Sequence, residues 1–118
     1  MAKLLFVVNG SPYGTERAYN ALRLAIAVLK KDSATELRMF LVGDGASCAK
    51  VGQVVAQGYY NVEIMLKGIA KRGGVIGVCG TCMDARALKD VELVEGTHRS
   101  SLDEWAAWAL WADKTLVF

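Results

Sequence analysis

The chain predicts an α/β fold, a three-layer α/β/α sandwich around a mostly parallel sheet of about five strands, on three observations. Short apolar runs (Leu4 to Val8, Leu37 to Val42, Val75 to Val78 and Thr115 to Phe118) alternate with stretches of helical periodicity. Glycine, asparagine and aspartate punctuate the junctions, and strand–helix alternation of this kind is the signature of βαβ units. At 118 residues with 53% hydrophobic content and one proline, the chain suits a single element-dense domain spanning 1–118.

Each element has its own warrant. Leu4 to Val8 is a continuous apolar strand, and Asn9-Gly10-Ser11-Pro12-Tyr13-Gly14 supplies turn residues. Thr15 is the expected N-cap of a helix whose Ala18, Leu22, Ala25, Ile26 and Leu29 share one face, ending near Lys30-Lys31. Leu37 to Val42 is a second strand stopped by Gly43-Asp44-Gly45, with Ala46 to Val51 as a short helical or loop segment. Gly58-Tyr59-Tyr60-Asn61 opens a helix with Val62, Met65, Leu66 and Ile69 inward, and Gly73-Gly74 closes it. After the strand Val75 to Val78, a helix is expected from Thr81 or Cys82 through Leu88, then a short strand Val91 to Val94 and a loop Glu95 to Arg99. Ser101-Leu102-Asp103-Glu104 is a capping box that launches the last helix. Its Trp105, Trp108 and Trp111, with Leu102, Ala109 and Ala112, form an apolar arc wider than one sheet contact needs, so part of it is expected to face another subunit.

Composition excludes several function classes. A net charge of +2 with no basic run interleaved with aromatics argues against nucleic acid. No apolar run approaches the ~20 residues that cross a bilayer. The opening residues read as a strand rather than an export signal, so a cytoplasmic address is expected, with the three cysteines reduced rather than locked in disulfides.

The chemistry concentrates at Cys79-Gly80-Thr81-Cys82, where a buried strand turns into a helix. Ligands of parallel α/β sheets sit outside the carboxyl ends of strands, and the free amides of a helix start favour a thiolate over a thiol. Cys79 and Cys82 are therefore candidate reactive thiols, with Arg86 available to stabilise an anion. Asn9, Gly10 and Asp44 end neighbouring strands and are expected at the same edge. Cys48 has two readings, a pocket residue or a buried structural cysteine. Tyr59 is read as either pocket floor or packing, and His98 as either a base at the sheet edge or a solvated loop residue. The turn Gly10 to Glu16 bears a weak likeness to a phosphate or FMN loop without matching a nucleotide motif.

The succession Val7-Val8-Asn9-Gly10, Gly43-Asp44-Gly45, Gly58-Tyr59-Tyr60-Asn61, Cys79 through Arg86 and Ala112-Asp113-Lys114 resembles the DsrE/DsrF-like family along nearly the whole chain. Ala87 stands where a glycine commonly follows the arginine. The resemblance implies a small α/β/α protein that assembles into homotrimers or hexamers and exchanges sulfur with donor and acceptor proteins; no cofactor is expected. Cys79 matches the position that carries the persulfide in relay members, Cys82 becomes its resolving partner, and a ring would bring a neighbour's Tyr59 or His98 beside it. Three rivals stand beside sulfur relay: dithiol redox chemistry by the C-x-x-C pair, a zinc site drawing on Cys48 and His98, and an oligomeric binding protein with inert cysteines.

Overall fold

A computed structural model describes residues 2–118. Five strands, β1 (Lys3–Val8), β2 (Glu36–Leu41), β3 (Val75–Cys79), β4 (Thr97–Ser100) and β5 (Lys114–Val117), form one all-parallel sheet in the order β4-β3-β2-β1-β5. The helices are α1 (Arg17–Lys31), α2 (Val62–Lys71), α3 (Gly80–Ala85) and α4 (Leu102–Trp111), with 3-10 turns at Gly43–Ala49 and Asp90–Glu92.

The order explains the layers. From β1 to β4 the chain steps in one direction across the sheet, then returns past β1 to β5. Right-handed crossovers therefore put the earlier helices on one face and α4 on the other. The side chains agree. Phe6, Val8, Met39, Leu41, Ile76 and Val78 point into a large core with α1 and α2, whereas Leu5, Val7 and Phe40 meet Trp108 of α4.

Most elements fall within a residue or two of the sequence expectation, and the exceptions have physical causes. Val91 to Val94 is not a strand: Glu92 accepts the Lys89 amide in a 3-10 turn, and Leu93 makes only an isolated antiparallel bridge to Lys50. The fourth strand is the expected loop, Thr97–Ser100, an edge strand whose polar side chains are each engaged by neighbours rather than by an apolar core. The helix after the cysteines stops at Ala85 instead of reaching Leu88, because Ala87 takes a left-handed φ of 54°. Helix α1 starts at Arg17 with Glu16 as N-cap, and Thr15 provides no cap. Its entry turn is held by Tyr13, whose hydroxyl donates to Gln53 (2.6 Å) and accepts the Val62 amide (3.1 Å).

The tryptophans are more fully accommodated than their spacing predicts. Trp105 stacks on Phe40 at 4.5 Å and 13°, Trp108 meets the same ring edge-on, and Trp111 lies under the Arg38 guanidinium at 3.9 Å. The exposed stripe of α4 consists instead of Leu102, Ala106, Ala109 and Leu110.

Candidate functional site

Strand alternation decides where Cys79 looks. Ile76 and Val78 face α1 and α2, so Gly77 and Cys79 face α4, in register with His98 and Ser100 of β4. A side chain at Gly77 would press on Trp108 and Ser100, both 3.0 Å or little more from a built Cβ, so glycine lets α4 settle against the strand. Cys79 then ends β3 and is the N-cap of α3, with Cys82 one turn further on. Its sulfur lies 3.4 Å from the Thr81 hydroxyl.

The two thiols are driven apart in acidity. Burial raises both. For Cys79 this is outweighed by the Cys82 thiol, the Thr81 hydroxyl and the Cys82 and Thr81 amides, which together hold it below a cysteine's ordinary range. For Cys82 the partnership with Cys79 adds to burial and pushes it up, although the Gly43 amide donates to its sulfur at 3.2 Å and Arg86 opposes the rise. Cys79 is thus the better nucleophile and Cys82 a proton-bearing neighbour.

Besides its charge, Arg86 holds the turn around this pair in place. Its guanidinium grips Asp44 through Nε (3.2 Å) and Nη2 (2.7 Å) and donates to the Cys82 carbonyl at 3.1 Å. The pair ties α3 to the 3-10 turn that presents the Gly43 amide, and Gly43 adopts a φ of 59° to do so. Gly45 follows with no room for a side chain, since a Cβ there would overlap the Val8 carbonyl.

The remaining candidates are dispersed. Cys48 is fully buried, burial pushes it up to about 12, and its thiol faces the Gly10 carbonyl at 3.8 Å. Asn9 reaches towards the Phe118 carbonyl. Tyr59 is exposed on a separate hollow shared with Tyr13, Glu16, Val54 and Tyr60. His98 lies opposite Gly77 rather than Cys79, bonded through Nε2 to Glu104 at 2.6 Å and edge-on to Trp108. Neither Cys48 nor His98 joins the Cys79–Cys82 pair.

Sequence reasoning missed the cavity onto which Cys79 opens. It encloses about 490 Å³ among Phe40, Cys79, Gly80, Thr81, Arg99, Ser100, Ser101, Leu102 and Trp105. Reading Thr97 to Ser100 as a strand would have revealed it, because that pairing sets Ser100 beside Cys79 and Arg99 over Gly80.

A cysteine pair at a strand-to-helix turn of a parallel five-stranded sheet, with helices on both faces, defines a small α/β protein. The model of the DsrE/DsrF-like family matches residues 2–118, and the chain belongs to that family. It is 39% identical to protein YchN of Escherichia coli over the full length of both chains, and the crystal structure of that protein superposes with a TM-score of 0.95. An uncharacterised protein of Methanocaldococcus jannaschii is 34% identical, over 98% of this chain and 99% of its own. One from Methanopyrus kandleri is 31% identical, over 95% and 90%. A sulfur-relay type of role is supported at the level of the family. No helix is long and apolar enough to cross a membrane among the described residues.

Proposed function

We propose that this protein is a cytoplasmic sulfur carrier that accepts sulfane sulfur on Cys79, with Cys82 as its resolving thiol. The observation that carries this reading is the placement of the pair, with Cys79, held below the ordinary cysteine range by its hydrogen-bond partners, at the mouth of a cavity and Cys82, pushed above that range, beside it. The Cys79 thiolate attacks the outer sulfur of a donor persulfide, the donor S–S bond breaks, the donor departs as a thiolate, and Cys79 becomes Cys–S–SH. An acceptor thiolate attacking the same outer sulfur carries it away and restores the Cys79 thiolate. In the other exit, the Cys82 thiolate attacks the inner sulfur, hydrosulfide leaves, and a Cys79–Cys82 disulfide remains for an external dithiol to reduce.

Dithiol redox exchange without sulfur transfer is the second reading, favoured by the N-cap and third-turn-residue placement of the two cysteines. Intact-mass analysis after incubation with inorganic polysulfide separates them. A gain of one sulfur atom, reversed by reductant, absent in Cys79→Ser and retained in Cys82→Ser, is expected; an internal disulfide in the parent with no sulfur gained by Cys82→Ser favours redox exchange, and no change at all defeats both.

Assembly into a homotrimer or hexamer belongs to the same proposal. The exposed Leu102, Ala106, Ala109 and Leu110 of α4 and Val117 of β5 support it as apolar surface that a second copy would cover. Light scattering at micromolar concentration tests it, and a monomer's mass would refute it.

A further inference from the structure

We infer that the sulfur partner of Cys79 is a low-molecular-weight thiol, arriving as its hydropersulfide, whose uncharged apolar body occupies the cavity beside α4. This rests on the persulfide reading above and adds the chemical class of the donor.

Volume is the first ground. The cavity's 490 Å³ falls in the range of small-molecule sites, roughly 300–1,000 Å³. Its apolar wall is well fixed, since Trp105 stacks on Phe40 and Phe40 is wholly buried. Leu102 stands at the rim.

Charge is the second. Arg99 is taken up by Asp84, with both terminal nitrogens on that carboxylate at 3.0 and 2.9 Å, and it reaches Asp90 at 3.4 Å. Glu104, behind the wall, receives the Ser100 hydroxyl and pairs with His98, and its own amide donates to the Ser101 hydroxyl. A charged body would therefore enter without a counterion to meet it and would lose its hydration. A peptide-borne persulfide would bring amides in need of partners to a wall whose polar groups are largely spent on one another. The cavity is polar beside the Cys79 sulfur, where the Thr81 hydroxyl lies 3.4 Å away. A polar sulfur head with an apolar body matches that division.

The transfer balances without an added oxidant. The Cys79 thiolate bonds to the outer sulfur of R–S–SH, the R–S bond to that sulfur breaks, and R–S⁻ leaves while Cys79 holds S–SH.

The test compares rates of Cys79 sulfuration, read by intact mass, with benzyl hydropersulfide, cysteine hydropersulfide, a persulfidated ten-residue peptide and inorganic polysulfide. Each organic donor's rate is divided by its rate with a free thiol in solution, which removes intrinsic reactivity. The benzyl donor should exceed the cysteine donor by about tenfold or more, from burial of its ring. Leu102→Glu, at the rim of the cavity, and Trp105→Ala should each bring that ratio towards one, with circular dichroism verifying the fold and light scattering verifying that the assembly state is unchanged. Equal corrected rates for benzyl and cysteine donors, or a faster peptide donor, overturn the inference while sulfuration by polysulfide leaves the carrier reading standing. Failure of every donor, polysulfide included, overturns both.

Discussion

Iodoacetamide at neutral pH should modify Cys79 first and leave Cys48 unmodified in the folded protein. Only the thiolate reacts at an appreciable rate. Burial lifts Cys48 from the ordinary 9.0 to about 12. Each pH unit is a factor of ten in thiolate, so Cys48 offers about a thousandfold less than a free cysteine. Its complete burial removes access as well. Cys79 lies on the other side of the ordinary value, so the gap between the two exceeds that thousandfold. Cys82, pushed up by burial and by Cys79, falls between them. Peptide mapping over a labelling time course reads all three sites in one sample, and a urea-unfolded control should bring their rates within a few fold of one another. Labelling of Cys48 within about tenfold of Cys79 in the folded protein would refute the reasoning, because neither the buried state of one nor the activated state of the other would then hold.

Three further outcomes are expected. Ala87→Gly should stabilise the protein by about 0.5–1 kcal/mol in urea denaturation, since a left-handed alanine costs roughly 1–2 kcal/mol and the added freedom of an unfolded glycine returns only part of it; a loss of stability would contradict this. Arg86→Ala should slow alkylation of Cys82 at fixed pH by removing the positive charge that opposes the rise of its pKa, while costing under about 1 kcal/mol because the partly exposed Arg86–Asp44 pair is solvent-screened; unchanged Cys82 reactivity would show that Arg86 acts only as a tether. Stability should respond to alkaline pH through Cys48. Its raised folded value makes its contribution complete below 9.0 and lost progressively as pH rises from there towards about 12. Cys79 works the other way, adding stability as pH rises between its lowered folded value and 9.0 and giving it up as pH falls. Thermal melts against pH should therefore show a flatter alkaline decline in Cys48→Ala than in the parent, and parallel declines would be the contrary result.

What the sequence made legible follows from where each element's stabilisation originates. Strands β1 and β3 are apolar along most of their length because both faces are covered, so their composition alone marks them. Strand β4 carries no such mark. Thr97, His98, Arg99 and Ser100 are held by Val94, Glu104 and Asp84, partners 3 to 15 residues away whose positions depend on the finished fold. The turn bearing Cys79 and Cys82 was legible because strand, turn and thiols are contiguous. Its cavity was not, being assembled from β2, the β3–α3 turn and the β4–α4 junction. Arg86 illustrates the limit most clearly: its nearness to the cysteines in sequence suggested contact with the thiolate, yet Asp44, 42 residues away, claims its guanidinium.

The pairing of β1 with β5 governs how the protein can be made. Leu4 aligns with Lys114 and Val7 with Val117, so one flank of the first strand stays open until the last has been synthesised. During translation Leu5 and Val7, which end in the core beneath α4, have neither their neighbouring strand nor their covering helix. A nascent chain in that condition presents an unpaired apolar edge, the surface on which polypeptides aggregate and chaperones act. Contacts spanning nearly the whole chain also delay folding, because loop closure must come before any reward from pairing. A β1–β2–β3 sheet backed by α1 and α2 can form early, whereas the thiol cavity waits for α4 (Leu102–Trp111) to be made and docked.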